Sequence, residues 1–581
     1  MILSAVALFK KIDLKGELGV EEEEEILSPF GFRTQKARYF SHRVQDGATR
    51  VFAKFSRPVT GGKVPVVVLL ADAFDADWAR HEEELTEYFV GKGYGVLAPD
   101  YLGKPAAEAD GDAVQMELVP QKEEYTVYPP SLSYANFSSV GGLYFLKGSA
   151  EETCWFEWLY VALSSIEYLK TREDVSNIGV VGSRIGGDLA WKVMLSPSVK
   201  CGVPINAIGW QAYLALGKFE DSAESKLSDE RRRYIAGIES QSYAPFVKCP
   251  VLVLCAMREE SVDYDRAYDT FSRAGCPDGS AIEYSTASGA CIGLHGLKDM
   301  ELFLEKHLKE REIYIPRPAL VSLTAEEGRL KVDVEFDEDG LMEEVGIFYA
   351  ETGEQTESEF RNWQRILVAD GKNVVGGKIS AEAVPFEGAA YAYAYAYAKY
   401  INGFKIVSKI AVKKLERTEK RVVRSRVICS GEDDDCFGVA DCVPSALGGI
   451  FLEDEAVVRR VEGYGQIKGF HSPAGIKTYK ISSPRNVADE GALLEFDAYA
   501  RTDCSLRLAV EVVGEGSRTK CYEFTTDVKG GGKWKRVIVQ AKDFKNTETG
   551  EPLRSFAQGL SLSFYGENED EEFAVTNILW L

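Results

Sequence analysis

The sequence lacks any apolar run close to the roughly 20 residues that a membrane-spanning helix needs, so we expect no membrane association. Histidine is scarce, with five in 581 residues. Cys429, Cys436 and Cys442 have no histidine nearby and are too widely spaced for a zinc knuckle. We therefore expect no structural metal and no cofactor. A disulfide within this trio is an open alternative if the protein is exported.

Positive charge is also in short supply. The chain has 68 Lys and Arg against 91 Asp and Glu, a net charge of −23. Such a chain could not replace the counterions around a phosphate backbone, so nucleic acid is excluded as a partner. Hydrophobic residues at 45% and charged residues at 27% are ordinary globular values. The length predicts several domains, and the oligomeric state stays open.

The N-terminus lacks the basic segment and small-residue cleavage site of a secretory signal. A short helix or strand is the interpretation we prefer for residues 1–9. We expect a cytoplasmic protein, with the alternative that a leader has been removed. Cys249, Cys255 and Cys291 lie in apolar settings that are typical of reduced packing thiols.

The first part of the chain alternates strand and helix patterns. Residues 64–70, Val-Pro-Val-Val-Val-Leu-Leu, form a β-branched run that predicts a strand buried on both faces. Similar short runs predict strands at 95–100, 177–182, 249–254 and 281–284. Helical spacing between them predicts a doubly wound parallel sheet, which we assign to residues 1–312.

The rest of the chain has β patterns throughout. A proline-marked linker near residue 313 precedes a predicted β-sandwich over 313–425 and a second, of jelly-roll type, over 426–581. Residues 390–398 alternate Ala and Tyr with a strict period of two, which places four tyrosines on one face of a strand. We expect this face to pack within a sandwich or against another domain; a sugar-stacking platform is the alternative.

Chemistry is indicated most clearly at Gly182-Ser-Arg-Ile-Gly186-Gly187, between a predicted strand and a helix. A nucleophile elbow, G-x-S-x-G, holds its central serine on a strained turn above the sheet edge. Here the central residue is Arg184, and Ser183 falls one position early. Arginine is a permanent cation and cannot attack an acyl carbon. Ser183 should point to the side of the elbow.

This stretch and its flanking strands resemble the α/β-hydrolase superfamily, especially its dienelactone-hydrolase and acetyl-xylan-esterase-like members, over roughly residues 30 to 310. The resemblance implies an acid in the loop after Leu254 and a histidine before the last helix. Glu259 matches the acid position, with Glu260 as a one-residue alternative, and His295 matches the histidine. The acid and the base thus keep their places, whereas the nucleophile does not.

Two roles are open for Arg184. At a helix N-terminus its guanidinium could bind a carboxylate or phosphate, such as that of an acidic sugar. The interpretation we favour is an internal salt bridge to Glu259, Glu260 or Asp72 that fills the pocket. Asp72 and its acidic neighbours lie where the family builds its oxyanion hole, and carboxylates there would repel a developing oxyanion.

The last segment resembles galactose-binding-like carbohydrate-binding modules, on Gly532-Lys-Trp-Lys-Arg-Val537, Lys542-Asp-Phe-Lys545 and residues 573–578. The resemblance implies sugar contacts by aromatic residues, with Tyr499, Tyr522 and Tyr565 as candidates. The middle segment resembles an immunoglobulin or fibronectin type III spacer. We expect a carbohydrate or an acylated small molecule as partner. The first hypothesis is a degenerate hydrolase that binds sugar; the alternative is an active esterase using Ser183, Glu259 and His295.

Overall fold

The structure is a computed structural model of the 581-residue chain. It describes residues 5–75, 77–103, 124–136, 146, 148–213, 216, 224–257, 262–285, 291–326, 329–337, 340–353, 356, 361–386, 389–415, 425–432, 436–440, 450–451, 458–514, 519–566 and 573–581.

A ten-stranded mixed sheet forms the core of the N-terminal region, in the order β1-β3-β4-β6-β5-β7-β8-β9-β10, with β2 paired to β3. The strands are β1 Glu21–Glu22, β2 Ile26–Leu27, β3 Phe32–Val44, β4 Gly47–Pro58, β5 Val64–Leu70, β6 Gly95–Asp100, β7 Val175–Ser183, β8 Val199–Ile205, β9 Leu252–Ala256 and β10 Ala281–Ser285. The six strands from β6 to β10 in this order run parallel, and β3 and β4 extend the sheet as an antiparallel hairpin.

Helices cover both faces of this sheet. They are α1 Ala5–Phe9, α2 Trp78–Gly91, α3 Cys154–Thr171, α4 Ile185–Val193, α5 Asp229–Gly237, α6 Ser240–Tyr243, α7 Ala267–Ser272 and α8 Leu294–Leu308. The predicted α/β-hydrolase fold is confirmed. The sequence reasoning missed β8 and the β3–β4 hairpin, because it relied on short apolar runs and β3 and β4 carry many polar residues.

Two antiparallel sheets follow as a sandwich. The strands are β11 Leu320–Glu326, β12 Arg329–Glu335, β13 Met342–Thr352, β14 Gln364–Asp370, β15 Lys378–Ala383, β16 Tyr391–Tyr400, β17 Lys405–Val407 and β18 Ala411–Lys414. One sheet has the order β11-β12-β15, and the other has the order β14-β13-β16-β17 with β18 beside β16. We call this sandwich the middle domain.

Strand β16 packs on both of its faces. Its alanines share a buried cluster with Val332 and Val334 of the facing sheet. Its tyrosines point the other way and share a cluster with residues of the hydrolase domain. The Tyr395 ring, for example, lies edge-on to the ring of Tyr284 on β10, with centroids 5.8 Å apart. Of the two kinds of packing expected for the tyrosine face, within a sandwich or against another domain, the structure shows the second.

Two six-stranded antiparallel sheets form the C-terminal sandwich. One has the order β21-β22-β30-β24-β27 with β19 beside β30, and the other has the order β20-β23-β29-β25-β26-β28. The strands are β19 Val427–Cys429, β20 Gly438–Val439, β21 Arg459–Glu462, β22 Lys468–His471, β23 Ile476–Thr478, β24 Leu493–Ala500, β25 Cys504–Val513, β26 Thr519–Val528, β27 Lys535–Gln540, β28 Lys545–Asn546, β29 Gly559–Gly566 and β30 Phe573–Trp580.

The cysteines differ in part from expectation. Cys249 and Cys255 are free and buried, as predicted. Cys291 is disulfide-bonded, so its assignment as a reduced packing thiol was wrong. Cys429 and Cys436 also form a disulfide, with Cα atoms 5.9 Å apart. Local apolar context cannot reveal a thiol that the tertiary fold brings from a distant segment, and this is why Cys291 was misjudged.

Within the described ranges, no helix is long and apolar enough to cross a membrane. In the same part of the chain, no group of three or more His, Cys, Asp or Glu side chains could hold a metal ion.

Candidate functional site

A sharp turn joins β7 to α4 at the carboxyl edge of the hydrolase sheet. It depends on the close approach of Gly182 and Gly186, because a Cβ on Gly182 would overlap the carbonyl of Gly186. A Cβ on Gly186 would in turn overlap the carbonyl oxygens of Leu70 and Ala71 at the end of β5. The two glycines therefore let the turn lie directly on the sheet edge, as a nucleophile elbow requires.

Arg184 occupies the central position of this turn. Its backbone has φ 49° and ψ −111°, a left-handed conformation that side-chain-bearing residues rarely adopt. Its N–H donates to the carbonyl of Ile205 at 2.8 Å, and its carbonyl accepts from the N–H of Asp188 at 2.8 Å. These bonds hold a strained backbone in place, so the turn has the geometry of a nucleophile elbow although its central residue is an arginine.

The Arg184 side chain turns toward the loop after β5. Its Nε lies 3.6 Å from Oδ2 of Asp72, and its guanidinium lies 5.8 Å from the ring centroid of Phe74. Asp72 is nearly buried, and its other carboxylate oxygen accepts the Phe74 N–H at 3.2 Å. Asp72 is thus one of the three salt-bridge partners expected for Arg184.

Ser183 is the last residue of β7 and is buried, with 7% of its surface exposed. Within the described residues its hydroxyl makes no hydrogen bond, and none joins it to His295. A serine nucleophile needs an imidazole within hydrogen-bond reach, about 3 Å, and the structure shows no such hydrogen bond between these two residues.

His295 is the second residue of α8 and is partly exposed. Partial burial and the ammonium groups of Lys405 and Lys399, from the middle domain, lower the pKa of its imidazole to about 4. The ring is therefore uncharged at neutral pH, and among the described side chains no carboxylate holds it by a hydrogen bond. Glu259, like Glu260, lies outside the described residues.

An oriented histidine that the sequence reasoning missed lies on α2, the helix that follows the loop carrying Asp72. His81 Nδ1 and Asp75 Oδ2 are 2.6 Å apart, and Arg80 donates to His81 Nε2 at 2.9 Å. Because arginine can only donate, Nε2 is the acceptor and Nδ1 carries the proton. Asp75 in turn donates its N–H to the Asp72 carbonyl at 3.2 Å. The pair therefore stabilises the acidic loop that supplies Asp72.

A buried ionic network lies behind the elbow helix. Lys192 Nζ donates to the Asp188 carbonyl at 2.9 Å and lies 4.8 Å from the ring of Trp155 and 5.1 Å from that of Tyr243. Burial lowers the pKa of Lys192 to about 8 and raises that of Asp188, whose carboxylate accepts the Ser240 hydroxyl at 2.6 Å. Desolvation thus outweighs the attraction between the two groups.

The loop after β8 carries a second strained residue at the same edge of the sheet. Trp210 has φ 68°, and the buried Glu239 carboxylate accepts the N–H groups of Trp210 at 3.1 Å and of Ala212 at 2.6 Å. Burial raises the pKa of Glu239 to about 7. The Trp210 ring is within 4.5 Å of the Arg266 guanidinium and 5.1 Å of that of Arg273. No local sequence pattern marks this arrangement.

The three candidate tyrosines of the C-terminal sandwich lie apart. Tyr565 is on the outer face of its sheet, stacked at 4.0 Å under the Arg507 guanidinium. Tyr522, on the neighbouring strand β26, is partly buried against the sandwich core. Tyr499, on β24 of the other sheet, is 8% exposed and packs on Trp534, with ring centroids 5.3 Å apart. These tyrosines do not form one binding surface.

The dienelactone hydrolase family model matches residues 52–274 of the chain. Acetyl xylan esterase 1 from Thermoanaerobacterium sp. JW/SL YS485 is 15% identical, covering 51% of this chain and 90% of that one, with a TM-score of 0.36. The acetyl xylan esterase from Paenibacillus sp. R4 is 14% identical, covering 52% and 92%, with a TM-score of 0.35. A search of curated protein sequences finds no match.

Proposed function

We propose that the protein is a carbohydrate-associated member of the α/β-hydrolase fold that binds its ligand without serine hydrolysis. The observation that carries this proposal is Arg184 in the strained central position of the elbow, with its side chain against Asp72. A guanidinium keeps its proton at any physiological pH and has no lone pair to attack an acyl carbon. The elbow therefore supports a pocket without a nucleophile.

The Arg184–Asp72 pair favours a filled pocket over an open anion site. Asp72 is nearly buried, and its carboxylate already lies beside the cation that an acidic sugar would need. A ligand carboxylate would have to displace Asp72, and a buried carboxylate left without its partner is costly. We therefore propose that the ligand, a carbohydrate or an acylated small molecule, binds without an ionic contact to Arg184.

Sugar binding by the C-terminal sandwich is the second part of the proposal. Among its aromatic residues we favour Trp534, which is half-exposed and which the three tyrosine candidates did not include. Its indole lies over Gly463 and Gly469, where a Cβ would overlap the ring. An indole held on a flat glycine surface is rigid, and rigid aromatic rings are suited to stacking against a sugar.

The cytoplasmic location expected from the sequence stays a prediction. The Cys429–Cys436 disulfide favours an oxidising compartment, because cytosolic thiols are kept reduced. Counting free thiols in protein purified from its own cells without reductant distinguishes the two locations: reduced Cys429 and Cys436 would support the cytoplasm, and a disulfide between them an oxidising compartment.

The absence of serine chemistry is tested with a fluorophosphonate probe and an activated acetyl ester, with an active serine esterase treated in parallel. We expect neither labelling nor turnover, and no change in Ser183→Ala or His295→Ala. Labelling that disappears in Ser183→Ala would show that Ser183 is a working nucleophile and would overturn the proposal.

Sugar binding is tested separately on a glycan array with the full chain. We expect binding that Trp534→Ala abolishes and that Ile538→Ala leaves unchanged. Ile538 is 50% exposed on the adjoining strand β27, so it controls for the loss of an exposed apolar side chain. If the wild-type chain binds none of the neutral and acidic glycans on the array, the carbohydrate part of the proposal is wrong.

A further inference from the structure

Three charged side chains meet where the hydrolase domain contacts the middle domain. Lys405 on β17 donates from Nζ to Oε1 of Glu283 on β10 at 2.6 Å, and its backbone N–H donates to Oδ1 of Asp299 on α8 at 2.9 Å. Asp299 is fully buried, and the Glu283 side chain is 4% exposed. The cluster therefore joins two elements of one domain to a strand of the other.

The charges in this cluster do not balance. Two carboxylates face one ammonium group, and the second oxygen of each carboxylate, Glu283 Oε2 and Asp299 Oδ2, is buried without a hydrogen-bond partner among the described residues. Burial raises the pKa of Asp299, and the nearby Glu283 carboxylate raises it further. Burial also raises the pKa of Glu283, although Lys405 opposes this. An ionised pair here would leave an uncompensated negative charge in the interface.

Other titratable or charged groups around the cluster belong to the elements that pack on it. These are His295 and Lys298 on α8, Tyr397 and Lys399 on β16, and Glu343 and Glu344 on β13. Lys399 pairs with Glu343 at 3.2 Å, and Tyr397 donates to Glu344 at 2.7 Å. These neighbours are largely paired with one another, so the excess charge remains on Glu283 and Asp299.

We propose that Glu283 and Asp299 retain one proton between them at neutral pH and form, with Lys405, a latch between the two domains that loosens when alkaline pH removes this proton. With this proton the cluster contains one carboxylate, one carboxylic acid and one ammonium group, so it is neutral overall. His295 lies one turn before Asp299 on α8, so the latch also holds the segment that carries the candidate histidine.

The sign of the pH dependence follows from proton counting. Between the ordinary carboxyl pKa, about 4, and the raised pKa of the cluster, the folded chain binds more protons than the unfolded chain. Stability therefore falls as the pH rises through this window. The loss is concentrated at the interface between α8 and β17.

Asp299→Asn is the decisive variant, because its amide mimics the protonated acid: Oδ1 can still accept from Lys405 and Nδ2 can donate. At about pH 9 we expect its thermal midpoint to exceed the wild-type value by roughly 2–4 °C, with little difference at about pH 6. Glu283→Gln should behave in the same way and serves if Asp299→Asn fails to fold. Glu382→Gln, at an exposed carboxylate of the middle domain, is the matched control and should follow wild type.

Infrared spectroscopy provides the direct readout, because a protonated carboxyl group has a carbonyl stretch that an ionised carboxylate lacks. Because other buried carboxyl groups such as Glu239 also contribute to this band, the comparison is a difference spectrum. We expect the wild-type spectrum minus the Asp299→Asn spectrum to contain the band at neutral pH and to lose it at alkaline pH, and the wild-type minus Glu382→Gln spectrum to lack it at both. Hydrogen exchange in α8 and β17, corrected for intrinsic rates, should accelerate with loss of the band. The absence of this band from the neutral-pH difference spectrum of wild type and Asp299→Asn, or an equal pH dependence of wild type and both cluster variants, would overturn the proposal.

Discussion

At the scale of single residues, the two elbow glycines are required because neither position has room for a Cβ atom. Gly186 lies so close to the end of β5 that the carbonyl oxygens of Leu70 and Ala71 leave no room for a Cβ. The arginine at position 184 has the opposite character, since it adopts a backbone conformation that a glycine would adopt more easily. The site keeps its strain without the hydroxyl that the strain normally serves.

Gly186→Ala should destabilise the protein by about 3 kcal/mol, because the methyl group meets two rigid backbone oxygens. Gly91→Ala, where a Cβ has open space at the end of α2, is the matched control. It should be neutral or stabilising by less than about 1 kcal/mol. Urea titration measures both free energies of unfolding, and equal effects would show that the close approach is relaxed in solution.

Individual site residues were predictable only where a motif specifies a position. The spacing of Gly182 and Gly186 identified Arg184 as the central residue of the turn. The His81–Asp75 pair was missed, because a histidine in the first turns of a helix gives no sign of the carboxylate it contacts. The side-chain direction of Asp72 toward Arg184 likewise depends on a loop that no motif describes.

At the scale of elements, the elbow helix α4 is held between neighbours by charges as well as by packing. Lys192, in its last turn, reaches the aromatic rings of Trp155 on α3 and Tyr243 on α6. A buried ammonium is expensive, and its lowered pKa records that cost. This makes the stability of the α3–α4 packing sensitive to alkaline pH.

Lys192→Met should remove the contribution of this lysine to the pH dependence of the free energy of unfolding. In the wild type the folded chain loses the Lys192 proton near pH 8, whereas the unfolded chain keeps it to about pH 10.4. The unfolded state therefore binds more protons in this window, and this group makes stability rise with pH. Subtracting the Lys192→Met curve from the wild-type curve, both from urea titrations, should give a positive slope there. A flat difference would contradict the buried, depressed lysine.

Strand β16 shows how far an element can be predicted. Its period of two correctly predicted a strand with a tyrosine face and an alanine face. That the tyrosines contact the hydrolase domain while the alanines line the sandwich required the tertiary structure, because both faces are buried. By contrast, β8 was missed although it is buried, since Lys200, Gly202 and Pro204 interrupt its apolar run.

At the scale of the whole molecule, an ion pair inside the domain interface ties the middle domain to the hydrolase domain. Arg361 is fully buried, and its guanidinium contacts both carboxylate oxygens of Asp265, one of them at 2.7 Å. It also lies 3.9 Å above the ring of Tyr393 on β16. Such a pair favours this arrangement of the domains, because removing either charge would leave the other buried without this ionic partner.

Arg361→Met should therefore cost about 3–5 kcal/mol, since it removes the guanidinium that faces the buried Asp265 carboxylate. The double variant Arg361→Met with Asp265→Asn should cost clearly less than the sum of the single changes. Arg329→Met, which breaks an exposed pair with Glu382 in the same domain, should cost below about 1 kcal/mol. If the free-energy changes of the two single variants add up to that of the double variant, the pair contributes no coupling across the interface.

The sequence by itself determined the fold classes and the chemical identity of the elbow. Apolar runs, helical spacing and two glycines are local features, and their physics acts within one element or one turn. Only the tertiary structure decided what Arg184 contacts, which strand of the middle domain packs on α8, and which cysteines pair. These depend on side chains that lie far apart in the chain and meet only when the sheets pack. The elbow is thus a local device, whereas its arginine–aspartate pair and the interdomain latch arise from long-range assembly.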